Sequence, residues 1–475
     1  MRPVISPVAS PATPPKDHSR IRSLAEEARQ RFGTSMADRI VSNIYRQAES
    51  LAADVVQLAP EAGRSWDRRL DNLLTSRWFG YPAMLALLML LFWLTIEGAN
   101  IPSTILASIL FTGQEWLAEL FVWLQAPLWL KGLLVDGVYR CLAWVISVML
   151  PPMAIFFPLF TLLEDLGYLP RVAFNMDRLF QWAGAHGKQS LTMSMGFGCN
   201  AAGVVACRII DSPREKIIAA LTNNFVPCNG RFPTLIALST ILTGGYLGVT
   251  LGQGLASLII AGLVVLGVAV TLVVSWLLSK TLLKGEASSF SLELPPFRKP
   301  QVGRIIITSI IDRTLFVLWR AVKVAAPAGA LIWLLANISV GNLSLLAALA
   351  GLLDPLGRSL GMDGFILLAF FLGLPANEIV LPILIMGYLA QGRLVEIEEV
   401  GELARLFVDH GWTWLTAVNV MLFSLLHFPC ATTLLTMGKE TGSWRWPALS
   451  FFLNTALAMA VCFIVALTAR GLHLV

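Results

Sequence analysis

The chain has 475 residues, 56% of them hydrophobic and 14% charged. Soluble globular proteins usually carry about a quarter charged residues, so composition excludes that class and points to a protein that places most of its length in a bilayer. The net charge of +5 excludes little, because the placement of Lys and Arg beside the spans, not their sum, orients a membrane protein.

Residues 1–19 hold Pro3, Pro7, Pro11, Pro14 and Pro15 among small polar residues, which predicts a disordered tail. No apolar h-region occurs in the first 20 residues, so no signal peptide is expected. Over residues 20–64, Ile21, Leu24, Ala28 and Phe32, then Ile40, Ile44 and Ala48, recur at helical spacing among charges. That pattern predicts a cytoplasmic stub of two short amphipathic helices interrupted near Gly33. Residues 65–78 mix Trp66, Leu70, Leu73 and Leu74 with several Arg, a composition suited to a helix lying in the membrane interface.

Apolar runs long enough for a hydrocarbon core about 30 Å thick then recur to the C-terminus. They cover residues 80–98, 135–163, 217–242, 247–278, 322–339, 365–389, 412–437 and 448–467, about eight spans of an all-α polytopic membrane protein. Arg64, Arg68, Arg69 and Arg77 precede the first run and Glu97, Glu115 and Glu119 follow it, which places the N-terminus in the cytoplasm. A second basic stretch, Lys280, Lys284, Arg298, Lys299, Arg304, Arg313 and Arg320, predicts another cytoplasmic loop. Within residues 284–320, the stretch 284–301 carries Pro295, Pro296 and Pro300 and reads as a linker between a first membrane half at 79–283 and a second at 321–475.

Two stretches between the runs are not ordinary loops. Residues 170–184, with Val172, Met176, Leu179 and Phe180 on one face, predict an interfacial amphipathic helix. Residues 189–207 are apolar enough to enter the bilayer but contain Gly196, Gly198 and Gly203, as a re-entrant or discontinuous helix does.

The halves share a pattern. Gly196-Phe197-Gly198-Cys199-Asn200 precedes an interruption at Val226-Pro227-Cys228, and Gly373-Leu374-Pro375-Ala376-Asn377-Glu378 precedes one at Phe428-Pro429-Cys430. Paired interruptions in two halves point to a transporter's binding site near the bilayer midplane. Gly196, Gly198, Pro227, Pro375 and Pro429 are the expected gate hinges, although proline kinks are also common in ordinary membrane helices.

Six cysteines lie in or beside apolar segments, so a disulfide scaffold is not expected. Cys199, Cys228 and Cys430 follow a Pro or Gly that loosens the backbone ladder, which brings a thiol together with freed carbonyls. Thiolates select borderline-soft ions such as Fe(II), Cu(I) or Zn(II) over Mg(II) or Ca(II). Cys141, Cys207 and Cys462 read instead as small hydrophobes. Glu378 lies in an apolar stretch where an ionised carboxylate must be paired, hydrated or coordinating. Asn200 and Asn377 are neutral donors at matching breaks, either ligands or interhelical hydrogen-bond partners. His427 precedes the last break as an accessory candidate, with a packed imidazole as the alternative. The string Met149, Met153, Met193 and Met195 reads as core packing, because methionine fills irregular apolar gaps more often than it binds metal.

A P-loop needs Gly-x-x-x-x-Gly-Lys-Ser/Thr, and Gly184-Ala185-His186-Gly187-Lys188-Gln189 fails in spacing and final residue. No zinc-protease signature or nucleophile elbow occurs. The chain is therefore read as a non-enzyme, with no nucleotide hydrolysis of its own and no nucleic-acid partner.

From about Trp66 onward the sequence resembles the membrane domain of the FeoB ferrous iron transporters. Leu163-Glu164-Asp165-Leu166-Gly167-Tyr168 and Ala173-Phe174-Asn175-Met176-Asp177-Arg178-Leu179 resemble family stretches. The Gly196–Asn200 motif, with Val226-Pro227-Cys228 and Arg231-Phe232-Pro233, resembles the first Gate repeat. Leu374-Pro375-Ala376-Asn377-Glu378 and Phe428-Pro429-Cys430, with Glu440-Thr441-Gly442-Ser443-Trp444 beyond, resemble the second.

The resemblance implies two inverted Gate repeats and a multi-pass importer of the bacterial inner membrane. Fe2+ would be its cargo and no cofactor permanently bound, with Cys199, Cys228, Cys430 and Glu378 along the permeation path. It also implies as partners the lipid bilayer, a separate GTPase subunit, a small FeoA-like protein and further copies of the chain. The family's GTP-binding domain is not found in this sequence. Ala202 stands where the family usually has Pro, and Asn377 where it usually has Lys. Two alternatives stand beside this one: a Gate-type transporter of another divalent metal or a nucleoside-like solute, and a non-transporting membrane partner of a complete iron transporter.

Overall fold

Isolated positions apart, the computed structural model describes residues 36–55, 65–185, 187–247, 249–284, 300–341, 343–395 and 400–473. The chain divides into a small unit, Met1–Ser65 with Ser288–Ser291, and a large one made of the rest. In the small unit the described element is α1 (Met36–Val55), the second amphipathic helix expected there. The predicted tail at 1–19 and the break near Gly33 lie outside the described residues, as does most of the 284–301 linker.

In the large unit α2 (Ser65–Leu74) is followed by α3 (Arg77–Trp123), α4 (Leu128–Asp165), α5 (Tyr168–Trp182), α6 (Gln189–Gly198), α7 (Asn200–Ala206), α8 (Pro213–Thr222), α9 (Phe232–Leu247) and α10 (Val249–Lys280). After the linker come α11 (Val302–Thr308), α12 (Phe316–Asn337), α13 (Leu345–Ser359), α14 (Gly364–Leu372), α15 (Val380–Tyr388), α16 (Val400–Asp409), α17 (Trp414–Leu426), α18 (Ala431–Thr441) and α19 (Arg445–Gly471). A two-stranded antiparallel ribbon pairs Ser339 with Ser344 and Val340 with Leu343.

Six helical stretches among the described residues are long and apolar enough to cross a membrane, seven if the bent pair α13 and α14 is one span. Six of the eight expected runs are among them. The other two, 217–242 and 365–389, are divided into segments too short to cross alone. The first run is longer than expected: α3 has 47 residues and so extends about 70 Å, well beyond a hydrocarbon core. It continues through Pro102, and Glu97, Glu115 and Glu119 are exposed along it. Trp78 and Trp123 mark its two ends, both largely exposed, as amphipathic rings do near headgroups.

α4 packs along α3, with the Tyr139 hydroxyl donating to Leu110 O at 3.0 Å and Gln114 Nε2 to Asp136 Oδ1 at 3.3 Å. Its turns at Gly132–Tyr139 are π-helical, and Pro151, Pro152 and Pro158 interrupt its later ladder. α2 and α5, both expected at the membrane interface, are tied by Arg171 Nε to Asp71 Oδ1 at 2.9 Å and by Asn175 Nδ2 to the terminal carbonyl Leu74 O at 2.7 Å. α5 buries Val172 and Phe180 as expected; Leu179, expected on the same face, sits exposed at its rim.

α12 approaches α4 backbone to backbone. A Cβ on Gly329 would lie 2.5 Å from Gly137 O and 2.6 Å from Cys141 Cβ, the kind of small-residue contact that lets membrane helices associate. It brings Val317 and Ala321 against the centre of the protein. Gly329→Leu should wedge the two helices apart at a cost of about 1–3 kcal/mol. Thermal unfolding of the purified protein in detergent should show a lower midpoint, and an unchanged midpoint would show that this contact does not hold the helices together.

Candidate functional site

The four expected breaks are present, and each forms where the sequence removes or loosens a helical hydrogen bond. α6 stops at Cys199, whose backbone is extended at φ −155° and ψ 124°, before α7 resumes at Asn200. In the second half Ala376 takes φ −154° and ψ 124° ahead of a short turn at Asn377–Ile379 that leads into α15. Matching dihedrals make Asn200 and Asn377 equivalent first residues after a break. α8 runs through a turn at Asn223–Phe225 to an extended stretch holding Pro227 and Cys228, and α9 begins at Phe232. α17 ends before His427 and Pro429, with Cys430 as the residue that opens α18. One backbone bond joins the breaks within each half: Asn229 N to Gly198 O at 3.4 Å, and Ala431 N to Leu374 O at 2.7 Å.

All four breaks open on one cavity of about 30 Å³, room for one or two water-sized occupants. Cys199, Cys228, Cys430, Glu378, Asn200, Asn377, Pro375 and Gly198 line it, as do Met149 and Met153 of α4, Val317 and Ala321 of α12, and Asn229, Gly230 and Thr432. The primary sequence-predicted donors therefore share one space although 231 positions separate Cys199 from Cys430 (430 − 199). Among the described residues no three His, Cys, Asp or Glu side chains are close enough to hold a metal ion together. The cavity has donors on several walls but no closed coordination shell.

Glu378 makes no ion pair among the described residues. Its carboxylate rests over Gly230: a Cβ there would lie 2.2 Å from Oε1 and 2.5 Å from the carboxyl carbon. The second half thus places its carboxylate directly on the first half's break, and only glycine leaves room for it. Asn377 Nδ2 reaches Cys228 Sγ at 3.9 Å, a second contact between halves. Cys430 Sγ lies 3.2 Å from Thr433 Oγ1.

The other predicted residues, Gly198 apart, stand behind the cavity. His427 does not line it; its ring packs among Phe370, Phe423 and Phe428, with Nδ1 2.9 Å from Ser424 O and Nε2 without a partner among the described residues. Gly196 and Gly198 are helical and accept close neighbours: a Cβ on Gly196 would lie 2.8 Å from Asn223 Oδ1, and one on Gly198 2.3 Å from the Phe156 ring. Pro227 and Pro429 stand in the extended stretches outside the lining.

Arg231 is the residue that sequence reasoning passed over, quoted as part of a motif and given no role. It is 1% exposed, and its guanidinium joins the two halves. Nη1 donates to Asn224 O at 2.7 Å and Leu425 O at 2.8 Å, while Nη2 reaches Asn224 Oδ1 at 3.1 Å, His427 O at 3.2 Å and Phe428 O at 3.4 Å. Pro429 has no N–H to donate four residues back to Leu425 O, and Arg231 supplies that donor instead. The charge also meets the negative end of α17. Asn224 Nδ2 adds a bond to His427 O at 2.6 Å, and Asn200 Nδ2 reaches Asn224 Oδ1 at 3.2 Å. A lone arginine in an apolar stretch is itself a functional signal, and it was the one available to find this residue.

α7 and α18 both start at the cavity, and a further link between halves lies just past α7 and on the last turn of α18. Arg208 and Glu440 form a two-pronged ion pair, Nε to Oε2 at 2.7 Å and Nη2 to Oε1 at 2.6 Å. Glu440 is the largest influence holding the Arg208 guanidinium above its ordinary pKa.

A family model described as Gate, nucleoside recognition, matches residues 146–242 and 318–444, and one described as ferrous iron transport protein B C terminus matches 260–312. The two Gate segments contain every cavity residue except Val317. A curated Fe(2+) transporter FeoB of Staphylococcus aureus (strain COL) is 28% identical over 460 residues, 94% of this chain and 66% of its own. The Fe(2+) transporter FeoB of Methanocaldococcus jannaschii is 25% identical over 460 residues, with 94% and 64% covered. An Fe(2+) transport protein A/Fe(2+) transporter FeoB fusion protein of Porphyromonas gingivalis is 26% identical over 445 residues, with 84% and 51% covered. The chain thus spans between about half and two thirds of these relatives' lengths.

Arg231→Gln removes the fork that serves carbonyls of both halves, and each buried carbonyl left unpaired costs about 1–3 kcal/mol. The variant should unfold well below the wild type in detergent. Arg231→Lys should also be destabilised, because a point charge cannot reach the same set of acceptors. Equal thermal midpoints for all three proteins would remove Arg231 as the tie.

Proposed function

We propose that this chain, an FeoB-type membrane domain, conducts ferrous iron (Fe2+) across a bilayer through the cavity where its four breaks meet. The observation that carries the reading is the convergence of Cys199, Cys228, Cys430 and Glu378 on that cavity. Fe2+ is the cargo. A hydrated ion does not fit about 30 Å³, so water must be exchanged for protein donors, and thiolates with a carboxylate suit a borderline-soft cation. Asn200 and Asn377 offer neutral oxygens to the same path.

A nucleoside-like solute fits poorly, because pockets for such ligands usually enclose about 300 Å³ or more. The reading extends to an inner-membrane location with the N-terminus in the cytoplasm, supported by the Arg residues before α3. It also includes a small FeoA-like partner, supported by the Porphyromonas gingivalis fusion protein, and a GTPase acting from a separate subunit.

Anaerobic Fe2+ uptake into proteoliposomes tests the reading. Wild type should load the vesicles. Glu378→Ala should reduce the rate about tenfold or more, the effect of losing about 1.4 kcal/mol of stabilisation for the passing ion. Cys199→Ser should reduce it as well. Gly230→Ala should resemble Glu378→Ala, because its Cβ would occupy the place of the carboxylate. No uptake by wild type, or unchanged uptake in Glu378→Ala and Cys199→Ser, rejects the proposal.

A further inference from the structure

Four methionines cluster in sequence near the first break, and the structure separates them into two kinds. Met193 and Met195 belong to α6 and pack into the core without reaching the cavity. Met149 and Met153 stand four residues apart on one face of α4, both buried, and line the cavity with the three thiols and Glu378. Pro151 and Pro152 lie between them, so their helix is itself loosened at the level of the cavity.

We propose that Met149 and Met153 are specificity-determining residues: their thioethers form a soft wall that favours Fe2+ over harder divalent cations such as Mn2+. The inference rests on the transport reading above and deepens it. An ion in so small a cavity has exchanged most of its water for protein donors, and five of the side chains available there carry sulfur. Sulfur favours the softer ion, and the intrinsic order of affinity already places Fe2+ above Mn2+. Thiols bind a metal only as they release a proton, whereas a thioether binds with no proton to lose. The methionine contribution therefore persists at a pH where thiols compete poorly for metal. Methionine as a simple gap filler is the competing account, and leucine separates the two, because it keeps the volume and removes the sulfur.

The test is equilibrium dialysis of the purified full chain in detergent under anaerobic conditions, with Fe2+ or Mn2+ as the metal. Wild type should bind Fe2+ about tenfold or more tighter than Mn2+, a difference of about 1.4 kcal/mol. In Met149→Leu/Met153→Leu that ratio should fall several-fold with Mn2+ affinity unchanged, and the loss should persist at mildly acid pH. A thermal midpoint equal to wild type for the metal-free variant shows that packing is intact; a lowered midpoint moves the comparison to the single variants. An unchanged ratio, or an equal loss for both metals, overturns the inference. Selective binding without vesicle uptake would count against the transport reading and leave the methionine wall standing. Fe2+ uptake by wild type with the same metal preference in the variant would do the reverse. Binding of neither metal by wild type would defeat both.

Discussion

A polar backbone group without a partner cannot be left in hydrocarbon, and every part of this structure near its centre answers to that constraint. Four helices are opened at one level, which exposes amides and carbonyls that a continuous helix would have paired. The openings persist because protein groups replace the lost bonds. Asn229 and Ala431 join the breaks within each half, and Arg231 with Asn224 joins one half to the other. Among the described residues Arg231 bonds to no carboxylate; its partners are carbonyls and one amide oxygen. Its charge is therefore offset by the dipoles of the opened helix ends, which makes the guanidinium and the breaks mutually dependent.

With several backbone groups of the breaks bonded to one another or to Arg231 and Asn224, the side chains at the breaks are left to face the cavity. Cys199, Cys430 and Glu378 each sit at the start of a resumed helix, and Cys228 sits on the extended stretch between two. Helix starts carry partial positive charge, which the proposed cation path would have to offset with anionic or strongly donating groups. Three thiols and a carboxylate meet that need where neutral aliphatic residues would not. The narrowness of the cavity follows from the same packing, since Gly230 admits Glu378 to within contact of the backbone and Gly329 admits α12 against α4.

Local features were legible in the sequence and long-range ones were not. The breaks could be read because Gly or Pro stands beside each motif cysteine, and loss of a helical hydrogen bond is a property of a few adjacent residues. The spans could be read because about 20 apolar residues in a row leave few alternatives. The extent of α3 could not, because Pro102, Gln114, Glu115 and Glu119 lower the apolar signal while the helix runs on to Trp123. Arg231 has acceptors 194 to 197 positions away, so its apolar surroundings could mark it as functional but could not name the carbonyls it serves. Met149 and Met193 have the same chemistry and similar apolar surroundings, so only the placement of α4 beside the cavity tells them apart. His427 shows the converse: its position next to a break made its ring a candidate, while the structure uses its carbonyl.

The two halves share a backbone plan but differ in the donors they bring to it. Cys199 and Ala376 have the same extended conformation, yet the first offers a thiol and the second a methyl group. Two positions later the order reverses, with Ala201 in the first half matched by Glu378 in the second. The first half thus contributes Cys199 and Cys228, and the second Glu378 and Cys430, to a single cavity. Any movement that parts the halves divides this donor set in two and also breaks the Arg231 bonds to Leu425 and His427. On the proposed reading, a cation held in the cavity would bridge the halves, and occupancy and closure would reinforce one another. Release would then require those contacts to separate, which is the coupling that alternating access needs.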